Sequence, residues 1–118
     1  MTPAEHAALS AQLARALGYY PESVWVNDYF CYVFRNAWFD KETWCRFDYR
    51  DPSVALPVLE WLMREHGVYV YIGTNKTTWW VVVARRYIAQ DTLPEAIARA
   101  SIAVADEKRQ RVEQNEAR

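Results

Sequence analysis

The run from Thr78 to Tyr87 constrains the fold most. It is the most β-prone stretch of the chain and is apolar on both faces near its middle. Trp79, Val81 and Val83 lie on one face, and Trp80, Val82 and Ala84 on the other. β-branched and aromatic side chains at this density favour a strand. A strand with two apolar faces wants cover on both sides, so it is expected at the centre of a sheet held between helices.

The flanking segments supply those helices. Thr2-Pro3-Ala4-Glu5 has the form of a capping box with proline in the first turn. Leu9, Leu13, Ala16 and Leu17 then form one apolar stripe, and Gly18 is a natural stop, which predicts a helix over about 3–17. Asp51-Pro52-Ser53 opens a second helix with Val58, Leu59, Leu62 and Met63 on its buried side and Gly67 at its end. Pro57 removes a backbone donor, so this helix is expected to kink or to begin late. Thr92-Leu93-Pro94-Glu95 repeats the capping logic ahead of a stripe of Leu93, Ile97, Ala100 and Val104. From about residue 107 the charged tail is expected to fray.

Two further β-prone stretches complete the reading. Val24–Phe34 and Thr43–Tyr49 form a hairpin joined across Asn36–Lys41, with Thr43, Cys45, Phe47 and Tyr49 alternating against Trp44, Arg46 and Asp48. Val68–Ile72 alternates as a strand, and Gly73–Lys76 is the turn into the central run. The predicted order is α-β-β-α-β-β-α in one domain over residues 1–118. It is an α+β fold with an antiparallel sheet of about four strands flanked by helices, an α/β/α sandwich.

Composition narrows the function. The 118 residues include six Trp and eight Tyr, more large amphipathic rings than a thin fold hides easily. Net charge is −1 and the pI near 6.1, without the basic excess that non-specific nucleic-acid binding draws on. The start of the chain does not read as a signal peptide, and no apolar run has the length of a membrane span. A cytoplasmic protein is expected, its two cysteines reduced.

Several stretches together resemble the phage ABA sandwich domain family, small proteins of phage and prophage. They are Phe47-Asp48-Tyr49-Arg50-Asp51-Pro52-Ser53, Ala55-Leu56-Pro57-Val58-Leu59-Glu60, the strand bearing Trp79 and Trp80, and the helix Leu93-Pro94-Glu95-Ala96-Ile97-Ala98-Arg99-Ala100-Ser101-Ile102-Ala103. The likeness spans roughly residues 45–105 and departs at Ser101, where the family tends to have Ala, and in the aromatic segment 19–45. It implies an α/β/α fold and a viral origin, and brings no catalytic residues. By analogy with small phage proteins that block host defences, CRISPR systems among them, it implies an inhibitor.

The side chains are read in the same light. His6 and His66 stand on helices with no nucleophile beside them in sequence, and Cys31 and Cys45 are expected as buried structural thiols on adjacent strands. Neither a metal site nor a cofactor is expected. Asp40, Glu42, Asp48, Asp51, Glu60 and Glu65 are interleaved with Arg46, Arg50 and Arg64, as on a charge-balanced face; the sharper alternative is an acidic surface that meets a basic partner. Trp25, Tyr29, Trp38, Phe39 and Trp44 are the anchors expected to hold a host protein, without enzyme chemistry. A second reading is a small-molecule or nucleotide module, as a single chain or a homo-oligomer, with Trp80, Arg85 and Arg86 lining its site.

Overall fold

The computed structural model describes residues 1–35, 43–66, 70–83 and 85–116, with only the backbone of His66 and Glu116. The predicted connection 36–41, the helix stop at Gly67, the strand start at Val68 and the side chain of His66 lie outside the described residues. The elements are α1 (Pro3–Ala16), β1 (Val24–Val26), β2 (Cys31–Arg35), β3 (Thr43–Arg46), α2 (Pro52–His66), β4 (Tyr71–Thr74), β5 (Trp79–Val83), β6 (Arg86–Gln90) and α3 (Leu93–Glu116). A single 3-10 turn, Pro21–Ser23, leads into β1.

The protein is α+β with two three-stranded antiparallel sheets, β1-β2-β3 and β4-β5-β6. The expected single sheet of four strands in the order α-β-β-α-β-β-α is therefore corrected to α-β-β-β-α-β-β-β-α. Each long β-prone run is two strands with a tight reversal inside it. In the first, Asn27 Oδ1 accepts from the backbone N–H of Tyr29 at 2.8 Å and of Phe30 at 2.7 Å, a side-chain-closed turn. In the second, Val83 pairs with Arg86, so only two residues intervene, and Arg85 takes a left-handed φ of 67°. The reversal ahead of β5 falls at Asn75–Thr78, two residues later than expected. There Asn75 Oδ1 accepts from the N–H of Thr77 and of Thr78, each at 2.9 Å.

The layering also differs from a sheet held between helices. α1 packs on β1 and β2, α3 packs on β5 and β6, and α1 and α2 both pack on α3. The core is continuous through these contacts, from Leu9, Leu13 and Val33 through Val58 and Leu62 to Val81, Val83, Ile97 and Val104. Small residues Ala96, Ala100 and Ser101 let α3 approach its neighbours closely, and the Ser101 hydroxyl is satisfied by the Ile97 carbonyl at 2.8 Å.

The helix ends follow the capping chemistry. Thr2 Oγ1 accepts from Glu5 N–H at 3.2 Å, and Thr92 Oγ1 from Glu95 N–H at 3.4 Å. Helix α2 runs through Pro57 to His66 and does not begin late. Where the charged composition led to an expected fray, α3 continues to Glu116. Glu107 accepts from Arg86 of β6 at 2.9 Å, Lys108 pairs with Glu65 of α2, and Arg111 pairs with Glu107 within the helix. No helix among the described residues is long and apolar enough to cross a membrane.

Candidate interaction surface

Strand alternation sorts the first sheet into two faces. Cys31 and Val33 point at α1 and are buried with Val24. The opposite face carries Trp25, Tyr32 and Arg46 in one cross-strand row and Phe34 with Trp44 in the next. Ring pairs run across it: Trp25–Tyr32 at 5.5 Å, Phe30–Tyr32 at 6.3 Å and Phe34–Trp44 at 5.3 Å between centroids. Tyr29 extends the group from the hairpin turn, 6.4 Å from Phe30. Trp25 is 52% exposed and Trp44 46%, so these rings touch one another and water at once.

Three of the five anchors expected from sequence, Trp25, Tyr29 and Trp44, thus belong to one surface. Trp38 and Phe39 lie outside the described residues. Phe30, Tyr32, Phe34 and Arg46 join the surface without having been singled out. Their signal was the register, which reading Val24–Phe34 as one strand concealed. None of the five described indoles is fully buried, since Trp61, Trp79 and Trp80 are half-buried.

The second sheet separates the other candidates. Trp80 lies on the outer face, over Gly73 of β4 and stacked with Tyr87 at 6.4 Å. Arg86 faces the other way and bonds Glu107, and Arg85 occupies the exposed turn. The two-residue reversal resets the alternation, so Trp80, Arg85 and Arg86 do not converge. The described residues do line a recess of about 270 Å³ beneath the first sheet, among Val33, Phe47, Val54, Val58 and Trp61.

One polar contact joins α1 to the segment after β3. His6 Nδ1 and the Tyr49 hydroxyl share a hydrogen bond of 2.6 Å, and Ser10 Oγ accepts from Tyr49 N–H at 3.1 Å. Burial, with Arg50 nearby, holds the His6 pKa below its ordinary value; burial raises that of Tyr49. The carboxylate of Asp48 lies below its usual range despite partial burial, because Arg50 grips it through two contacts at 3.0 and 2.8 Å. Both cysteines are free; Cys31 is buried and its thiol pushed up to about 11 by desolvation, while Cys45 is half-buried opposite Val33. Among the described residues no cluster of three or more His, Cys, Asp or Glu could hold a metal. Of the acidic residues of the middle third, Asp48 pairs with Arg50 and Glu65 with Lys108, Asp51 Oδ1 accepts from Ser53 N–H at 2.9 Å, and Asp40 and Glu42 lie outside the described residues.

Comparison of the chain with protein-family models, with curated proteins and with solved structures finds no match.

Proposed function

We propose that this protein is a non-enzymatic binding protein whose outer β1-β2-β3 face docks on another protein. One observation carries the reading: among the described residues, Trp25, Phe30, Tyr32, Phe34 and Trp44 form a ring surface on the sheet face opposite the one that packs on α1. Trp and Tyr are preferred anchors at interfaces because they bring large apolar area at little rotamer cost. The resemblance in residues 45–105 to the phage ABA sandwich family extends the proposal to a phage protein acting on a host protein in the bacterial cytoplasm. A defence component such as a CRISPR effector is then the target class.

The test is affinity purification from bacterial cells, followed by mass spectrometry, with wild type and with Trp25→Ala, Trp38→Ala and Trp44→Ala. An anchor lost from the centre of an interface costs about 2 kcal/mol or more, roughly thirtyfold in Kd. Capture of a stoichiometric host protein by wild type and its loss from the Trp25 and Trp44 variants is the expected result. Equal capture by all four chains ends the proposal.

A further inference from the structure

We infer that the partner presents a carboxylate to this face, within an acidic segment whose neighbouring side chains are apolar; the inference rests on the docking role proposed for the first sheet. Among the described residues, the charge on the ring face of the strands is Arg46. Its guanidinium carbon lies 4.1 Å from the centroid of Phe30, in cation–π geometry, and the side chain is exposed. Neither Arg46 nor Arg35, at the end of β2, forms an ion pair among the described residues. Asp48 adds its field, but both its oxygens are engaged by Arg50. Asp28, in the adjoining turn, forms no ion pair among the described residues either.

A partner that covers the rings strips water from Arg46. An apolar partner would leave the guanidinium desolvated and unpaired, a strongly unfavourable outcome. A basic partner would add repulsion. A carboxylate matches the planar fork, which the Phe30 ring already orients, so little side-chain freedom is lost on pairing. Nucleic acid also offers anions, but sites that track its backbone carry a line of basic side chains. Among the described residues this face offers one guanidinium, in a chain of net charge −1.

Fluorescence anisotropy with short labelled peptides tests this on the full chain. The probes alternate phenylalanine with glutamate, glutamine or lysine, and a single-stranded oligothymidylate is the fourth. The glutamate peptide is expected to bind roughly tenfold tighter than the glutamine peptide, and the lysine peptide weakest. Arg46→Gln, at an exposed position, abolishes that preference, so that the glutamate and glutamine peptides bind alike; Arg46→Lys restores part of it. Trp25→Ala and Trp44→Ala weaken all the peptides alike. If those tryptophan variants weaken binding but glutamate holds no advantage, the carboxylate inference is overturned and the docking face stands. Tighter Arg46-dependent binding of the oligothymidylate also overturns it. If the tryptophan variants change nothing, or no peptide binds, both readings fall.

Discussion

The two sheets share a plan, three short antiparallel strands with one face on a helix, yet they finish their outer faces differently. In the second sheet Trp80 lies flat over Gly73, its indole in the space a side chain would fill, and Tyr87 stacks beside it. Tyr71 and Tyr87 flank Val82 in one row, and no charged side chain shares the Trp80 face within the strands. In the first sheet the rings stand at tilts of 40° to 68° to one another and a guanidinium rides on Phe30. A bare glycine opposite an indole gives Trp80 a seat on the sheet, while Tyr71 and Tyr87 on the same face stay 64% and 63% exposed. Where every cross-strand neighbour is itself bulky, the rings stay proud of the sheet. An indole therefore lies flat where a cross-strand glycine leaves it a seat and stands out where its partners are bulky.

The largest effect expected from this contrast is at Gly73. A Cβ there would lie 2.2 Å from the Trp80 ring, so Gly73→Ala must displace the indole. Overpacking of this kind costs about 1–3 kcal/mol. Thermal and urea unfolding should show that loss, with Tm lower by several degrees. Trp44→Ala should cost about 1 kcal/mol or less, because its ring is half in water and loses chiefly the contact with Phe34. If the two variants are equally destabilised, the first sheet's rings are structural and the contrast fails.

The turns sharpen it at a smaller scale. Arg85 holds φ 67°, a region that costs a non-glycine residue roughly 1 kcal/mol or more. Arg85→Gly should therefore stabilise by about 1 kcal/mol, less the entropy glycine adds to the unfolded chain. Asn27→Ala should destabilise by about 1 kcal/mol, since it removes the acceptor that closes two backbone N–H groups. Opposite signs in denaturant midpoints at unchanged slope are the expected outcome.

These same turns mark where sequence reading gave out. Helix starts at Thr2 and Thr92 were legible because a cap is local chemistry, one hydroxyl and the N–H three residues on. The α+β class followed from the change of apolar period along the chain. The reversals at Asn27 and Arg85 were hidden by flanking strand propensity, and Arg85 carries no glycine to announce its conformation. Missing the second reversal placed Trp80 and Arg86 on one face, although the chain reverses between them. Trp25, Tyr29 and Trp44 were legible as exposed rings from aromatic surplus alone. Arg46 over Phe30 was not, since it depends on register between β2 and β3. The His6–Tyr49 bond spans 43 residues and leaves no local pattern.

Partial burial of His6, with Arg50 nearby, gives the smallest effect, and one confined to the first sheet's side of the molecule. Folded His6 binds its proton less readily than the unfolded chain, whose histidine keeps its ordinary value of 6.5. As pH falls through 6.5 the unfolded state takes up protons first, so stability declines on the acid side and is complete above it. Asp48 adds a second loss further down, below its ordinary 3.8, because its carboxylate is favoured only in the folded pair with Arg50. Cys31 works in the opposite sense: its thiol stays protonated in the fold up to about 11, so stability falls as pH rises past the ordinary 9.0. Denaturant midpoints measured at about pH 7 and about pH 5 should differ less in His6→Gln than in the wild type. Thiol labelling at neutral pH should reach Cys45 well before Cys31. An acid limb unchanged by His6→Gln would place the pH sensitivity elsewhere, with the carboxylates.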